Sequence, residues 1–467
     1  MNRMNFGIMG FLIIASVLFT GCGKTASPPK ISPQATQENR LDWNTKTLVT
    51  AYENFGNNDS DWDPAAKRAL TEFARYRVQT TDPGEPCAEI IATNCDAAVA
   101  AGCDDPLVRY LYIKFSMSQT NTPKAFLNAM MNVQSNMQNS SYPDIRKFYA
   151  SLRAAQQYNY TYRYSSNADW TVYGNLMSAA GSSLAAACDD KTMPPEEAYE
   201  AGSELISALP NDTNIFEQEY PPIEAPLLAN WPNAAPVWLL KGEADTQLAW
   251  LYRGNGSGDT LAKAAVEGFE QNLDVADKAL SRAWKLDPTD ARIAVAMLNV
   301  ELGQGQGRTR MEMWFNRAMA DDPDDYDAAS AKLNYIQPKW YGSTQDMLEF
   351  GRECVQSTNW GSGLSLILID AHWDIYNQYI DAAARTNYWQ QPVVWDDISS
   401  AYERYFQSYP NDTGRIAYYA RYAYYARQWN KLNELIPKVS PEDYYLFGGA
   451  DKFNEIAQLA KQNATPQ

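Results

Sequence analysis

The run Gly21-Cys22-Gly23-Lys24-Thr25 ends like a phosphate-binding loop. Such a loop needs another glycine five positions before its second one, so that backbone N–H groups curl around the phosphates between a strand and a helix. That position is Leu18, inside an apolar stretch, so nucleotide chemistry is not expected. Metal and nucleophile chemistry lack parts as well. A single histidine, His372 in IDAHWDIY, excludes two-histidine zinc sites and the HExxH arrangement. No GxSxG precedes His372, Cys354 has no recognisable nucleophile context, and an apolar helix favours a packed, hydrogen-bonded imidazole. GNGSGD (254–259) and GQGQG (303–307) lack a strand-loop-helix setting with a following Lys and read as turns. DDPDDYD (321–327) lacks the fixed glycine and terminal Glu of a calcium loop and reads as helix-capping aspartates. Paired carboxylates for glycoside hydrolysis, which can be distant in sequence, stay open. The expectation is therefore no catalytic residue, no metal ligand and no cofactor, and a chain that is not an enzyme.

Export chemistry is written more clearly. Residues 6–19, FGIMGFLIIASVLF, form a short apolar run behind Arg3, followed by small residues and Cys22, which describes a secretory signal better than a spanning helix. Phe19-Thr20-Gly21-Cys22 resembles a bacterial lipobox, which implies cleavage before Cys22 and a lipid on its sulfur. Gly23, rather than Asp, follows the cysteine and favours the periplasmic face of the outer membrane over the inner membrane. Residues 1–21 are read as the signal peptide and 22–39 as a tether reaching very roughly 20 Å if flexible. The net charge of −17 and pI near 4.6 argue against nucleic acid, which demands clustered Lys and Arg. Cys87, Cys95, Cys103, Cys188 and Cys354 lack the CxxC spacing of zinc sites; in an oxidising compartment a local disulfide is expected, with buried thiols the alternative.

The elements that must position any site are helices. DWDPAAKRALTEFARYRV offers Asp63 as N-cap, Pro64 at the first helical position and apolar residues on one face, and CDDPLVRYLYIKF repeats the device at Asp105 and Pro106. YNYTYRY (158–164) is either a short extended aromatic segment or a helix end. Counting back from Pro288, Ala276, Leu280 and Ala283 fall where a tetratricopeptide repeat places small, large and small residues in its second helix. Counting back from Pro323, Met311, Phe315 and Ala318 fill the same places, and the two prolines are about one repeat length of roughly 34 residues apart. Ala allows close helix approach, the larger residue fills the groove, and Asp-Pro stops the helix. In residues 400–439 a helix ends near Pro410 and two more turn near Gln428. The fold class is all-α: tetratricopeptide-like helical repeats, an α-solenoid of antiparallel helix pairs, with an N-terminal helical region at 40–215 and a repeat domain at 216–467.

Residues Gly242, Ala249-Trp250, Arg253-Gly254, Phe269, Ala283-Trp284 and Pro288, continued by Pro338-Lys339-Trp340, Gly342-Ser343, Met347-Leu348, Phe350 and Arg352, carry a resemblance. The stretch resembles a bacterial family with a tetratricopeptide-like helical fold and no known function. The resemblance implies a fold and supplies no activity. Trp250, Arg253, Trp340 and Arg352 become the candidate binding residues, because Arg with Trp makes an anchor pair; stacking inside the repeat is the alternative.

Thirty Tyr and fourteen Trp cluster in YNYTYRY, NYWQQPVVW and AYYARYAYYARQW. They fill helix-helix grooves beside alanine, or they line a concave surface for a partner. The leading functional expectation is a lipid-anchored envelope protein whose repeat surface binds a protein or peptide. An aromatic-lined site for carbohydrate or a small solute is the alternative, and an enzyme is the third.

Overall fold

Proline opens many of the helices. The computed structural model describes residues 34–78, 87–117, 122–256, 261–385 and 387–464. Within them Pro occupies the first turn at 64, 106, 123, 195, 221, 236 and 392, where its missing N–H has no helical partner to lose. Asp105 caps its helix as the sequence predicts: it is fully buried and accepts from Leu107 N (2.8 Å) and Val108 N (3.2 Å). Asp63 instead sits inside the first turn, with Trp62 at the cap position.

Two compact units divide between Pro288 and Thr289, whereas the sequence reading places a boundary at 215/216, a point that falls inside α10 (Thr213–Glu219) of the first unit. The first unit contains α1 (Gln34–Thr45), α2 (Ala51–Phe55), α3 (Asp63–Arg77), α4 (Cys87–Ala100), α5 (Pro106–Phe115), α6 (Pro123–Gln138) and α7 (Asp144–Tyr162). It continues with α8 (Trp170–Ala187), α9 (Pro195–Ala208), α10 (Thr213–Glu219), α11 (Pro221–Asn230), α12 (Ala235–Arg253) and α13 (Lys263–Leu286). Consecutive helices from α3 to α9 pack on one another, and α3 also meets α5, as α7 meets α9. These next-but-one contacts, with the pocket that α5 and α7 line together, set α3, α5, α7 and α9 side by side, as in stacked helix pairs.

The repeat signal lies where the sequence put it. Ala276, Leu280 and Ala283 of α13 are buried against α12. Close approach is enforced by glycine: a Cβ on Gly242 of α12 would lie 2.4 Å from Leu280 Cγ, and one on Gly202 of α9 would lie 2.3 Å from a methyl of Leu240.

The second unit contains α14 (Ala291–Gln304), α15 (Arg308–Asp321), α16 (Tyr326–Tyr335), α17 (Thr344–Gln356), α18 (Ile367–Asp374), α19 (Ala382–Arg385), α20 (Pro392–Ser408), α21 (Thr413–Tyr425), α22 (Trp429–Leu435) and α23 (Ala450–Asn463). Met311, Phe315 and Ala318 of α15 are buried, with Phe315 edge-on to Phe350 (5.5 Å) and Trp360 (5.6 Å). The glycines of GQGQG turn α14 into α15, with Gly305 and Gly307 at positive φ. The chain turns between α21 and α22 at Arg427 and Gln428, as expected.

Three expectations change in detail. YNYTYRY is a helix end, since α7 runs to Tyr162. The tether assigned to 22–39 overlaps α1, which begins at Gln34; its earlier part and Cys22 lie outside the described residues. The expected local disulfide is replaced by its alternative: Cys95, Cys103, Cys188 and Cys354 are buried free thiols, and Cys87 is buried on α4. Cys87 and Cys95 share that helix eight positions apart, about 12 Å along the axis, beyond the reach of a disulfide. Burial pushes the Cys95 thiol up to about 12 and Cys103 to about 11. Among the described residues no helix is long and apolar enough to cross a membrane.

Candidate functional site

The four residues singled out from sequence fall into two pairs, one in each unit. Trp250 and Arg253 end α12, the guanidinium lying 5.8 Å from the indole centre and the indole meeting Phe269 of α13 edge-to-face at 5.0 Å. Arg253 also donates to the carbonyl of Gly254 at 3.0 Å. Trp340 lies beside Tyr341, and Arg352 of α17 makes a two-pronged ion pair with Asp397 of α20 at 2.9 and 2.7 Å. Each pair thus has packing partners inside its own unit.

Arg352 leads to the single histidine. His372 is buried, with Nε2 3.0 Å from Asp397 Oδ2 and Nδ1 2.8 Å from the Tyr388 hydroxyl. A carboxylate, an imidazole and a hydroxyl in series have the order of a proton relay. The hydroxyl end is poorly suited to attack, because Tyr388 is buried and burial, then the charge of Asp397, pushes its ionisation up. Burial pushes Asp397 up too, but the bonds from His372 and Arg352 outweigh it and hold the carboxyl below its usual range. The chain of four side chains therefore ties α17, α18 and α20 to the 310 turn at Tyr388–Gln390. Around it Tyr376, Trp389 and Tyr422 pack ring on ring, the groove-filling role for the C-terminal aromatics.

The densest chemistry of the first unit was not singled out from sequence. Arg77 (α3), Lys114 (α5), Arg146 and Arg153 (α7) converge with Tyr110 and Tyr149 on one pocket, and Glu197, Glu200 and Glu204 approach from α9. Arg77 Nη2 donates to the Tyr149 hydroxyl (2.7 Å), Glu197 (3.0 Å) and Glu200 (2.9 Å). Arg146 is buried and donates to Asn44 Oδ1 at 2.9 Å, while Arg40 of α1 reaches Glu197 at 2.8 Å and pairs with Glu200. Helix α1 thus lies across the α3–α9 layer, held by charge rather than by apolar packing alone. Lys114 is the exception to the pairing. It is exposed to water, yet it lines the pocket and its ammonium lies over the rings of Phe73 (5.2 Å) and Phe115 (5.4 Å). Desolvation, then the positive charges of Arg153 and Arg77, lower its ammonium to about 7, against the opposing pull of Glu204.

A sequence signal for this cluster existed. Arg146 and Arg153, two turns apart, share a face of α7; Tyr110 and Lys114 share one on α5, and Glu197, Glu200 and Glu204 share one on α9. Helix-by-helix reading treats such stripes as solvated faces. Only the superposition of odd-numbered helices brings them together.

No family model and no curated protein matches the chain, so the family resemblance remains one of sequence features. Among solved structures the chain is similar to the human IFIT1 dimer with PPP-AAAA, at 11% identity over 94% of this chain and 97% of that one. Its TM-score of 0.21 is too low to carry any inference about this chain.

Proposed function

We propose that this chain is a lipid-anchored protein of a bacterial envelope, facing the periplasm from the outer membrane, whose helical-repeat surface binds a protein or peptide partner without catalysing a reaction. The observation that carries the binding reading is the concavity on the α3–α9 layer, where an exposed lysine lies beside guanidiniums and aromatic rings. Successive repeats sum such faces into one extended concave surface, the usual docking geometry of helical solenoids. The anchor rests on the lipobox-like residues ending at Cys22. The absence of nucleic acid from the proposed partners rests on the acidic charge balance.

Two measurements test this reading. Mass spectrometry of the N-terminal peptide from envelope fractions should find acylated Cys22; an unprocessed Met1 terminus would refute the anchor. Crosslinked affinity capture from the native envelope should recover a protein partner through residues of the α3–α9 layer. A sugar-binding alternative draws on Trp373, which is 42% exposed and stacks on Trp389 at 6.1 Å. Recovery of no partner, together with a sugar-dependent rise in melting temperature, would replace the leading reading by that one.

A further inference from the structure

We propose that Lys114, seated between Arg77 and Arg153, is a docking point for a carboxylate on an acidic segment of the partner. This inference rests on the partner-binding reading and names the chemistry of its ligand.

Four observations meet there. Among the described residues Lys114 makes no hydrogen bond or ion pair; its ammonium only overlies the rings of Phe73 (5.2 Å) and Phe115 (5.4 Å). Every neighbouring guanidinium is occupied: Arg77 by Tyr149, Glu197 and Glu200, Arg153 by Glu204, and Arg146 by Asn44. Arg77 nonetheless keeps its Nε buried and without a partner, a second donor awaiting an acceptor. The cations of this layer outnumber the α9 carboxylates that face them, so positive charge is left over inside a chain whose net charge is −17.

An unpaired ammonium facing water could be a solvated surface group. Its setting argues otherwise, because a solvated lysine swings clear of like charges, whereas Lys114 lines one pocket with Arg77, Arg146 and Arg153 and lays its ammonium over Phe73 and Phe115. An anion bound there removes that repulsion and satisfies the donor at once. Size selects the anion. The empty space among the lining residues is about 340 Å³ counted to its open mouth, with enclosed room for roughly one water-sized group. A carboxylate can insert an oxygen into such a space while its chain stays in the groove; a tetrahedral phosphate is larger than the enclosed room and carries more oxygens than the free donors can meet. The aromatic floor of Phe73 and Phe115 and the walls of Leu48 and Leu107 suit the methylenes of a Glu or Asp side chain.

The test uses the mature chain and its Lys114→Met and Lys114→Arg variants. Lys114→Met removes the charge at similar volume and breaks no ion pair, so it should fold; its circular-dichroism melting curve checks this. Calorimetric titration with tetraglutamate should show binding to the wild type, weakened about tenfold to a hundredfold in Lys114→Met and largely kept in Lys114→Arg. Tetraglutamine should not bind. Trace acylation of amines, read by mass spectrometry, should show Lys114 protected by tetraglutamate, while Lys263 on the exposed start of α13 is unaffected. Equal tetraglutamate affinity in wild type and Lys114→Met, no tetraglutamate binding at millimolar concentration, or protection by inorganic phosphate alone would each overturn the inference. The two readings fail separately. A captured partner that binds Lys114→Met as well as wild type removes the carboxylate site and keeps partner binding, whereas Lys114 protection with no partner does the reverse.

Discussion

Replacing Glu197 by Ala should destabilise the first unit by about 3 kcal/mol. Glu197 is 1% exposed and accepts from Arg40 Nε at 2.8 Å, Asn44 Nδ2 at 2.9 Å and Arg77 Nη2 at 3.0 Å. Removing one member of a buried ion pair costs about 3–5 kcal/mol, because the charge left behind is poorly solvated. The lower end applies here, since Glu200 stays bonded to both guanidiniums. For a unit of this size the loss corresponds to a melting-temperature drop of roughly 6–12 °C in differential scanning calorimetry. The sign with pH is fixed. Burial pushes the Glu197 carboxyl up, but Arg77 and Arg40 outweigh it and hold it below the usual range. Its stabilisation is therefore full above the unfolded value, near 4.3, and fades as pH falls through the lower folded one, so wild type and variant should converge on acidification. Removing Arg40 as well should show strong coupling, with the double variant losing much less than the sum of the singles. A destabilisation under about 1 kcal/mol at neutral pH, or additive singles, would refute the claim that α1 is held by these charges.

Lys114→Met should raise stability at neutral pH by about 1 kcal/mol, a value discounted for the screening of an exposed ammonium. The folded group loses its proton near pH 7 and the unfolded one near 10.4, so wild-type stability should rise with pH between those values, and the variant should lack that slope in urea titrations. Arg77, Arg153 and Glu204 are the charged groups that face the same ammonium. Asp105→Ala should cost about 3 kcal/mol by chemical denaturation, because the buried carboxylate accepts from Leu107 N, Val108 N, Asn57 N (3.0 Å) and the Tyr142 hydroxyl (2.9 Å). Cys95, Cys103, Cys188 and Cys354 should react with a thiol reagent on denaturation without prior reduction and resist it when folded; need for a reductant would restore the disulfide expectation.

Where sequence spoke through local rules, it was legible. Asp105 before Pro106 is a cap because a short carboxylate next to a fixed φ can reach the first free N–H groups, and that needs nothing distant. Ala276, Leu280 and Ala283 announce a helix pair because close approach demands small residues at fixed spacing. Gly242 and Gly342 belong to the same vocabulary: a Cβ would strike Leu280 at the first and, at the second, the carbonyl oxygen of Ile336 at 2.2 Å. The cation cluster was hidden because its members come one or two per helix, and each stripe alone is compatible with water. Arg352 was chosen beside Trp and is bonded instead to Asp397, a partner 45 positions away that no local pattern reveals.

The placement of α1 also sets a clock. It is the first described helix to be synthesised, yet the carboxylate that receives Arg40 follows 157 positions later. A pairing that spans so much chain forms after the local helix pairs, because the entropy of closing the long loop must first be met. Until α9 packs, Arg40 and Arg77 lack the carboxylates that bridge them in the finished unit. Arg40 of the first helix meets its carboxylates only when α9 packs, so that side of the groove is closed by its last wall.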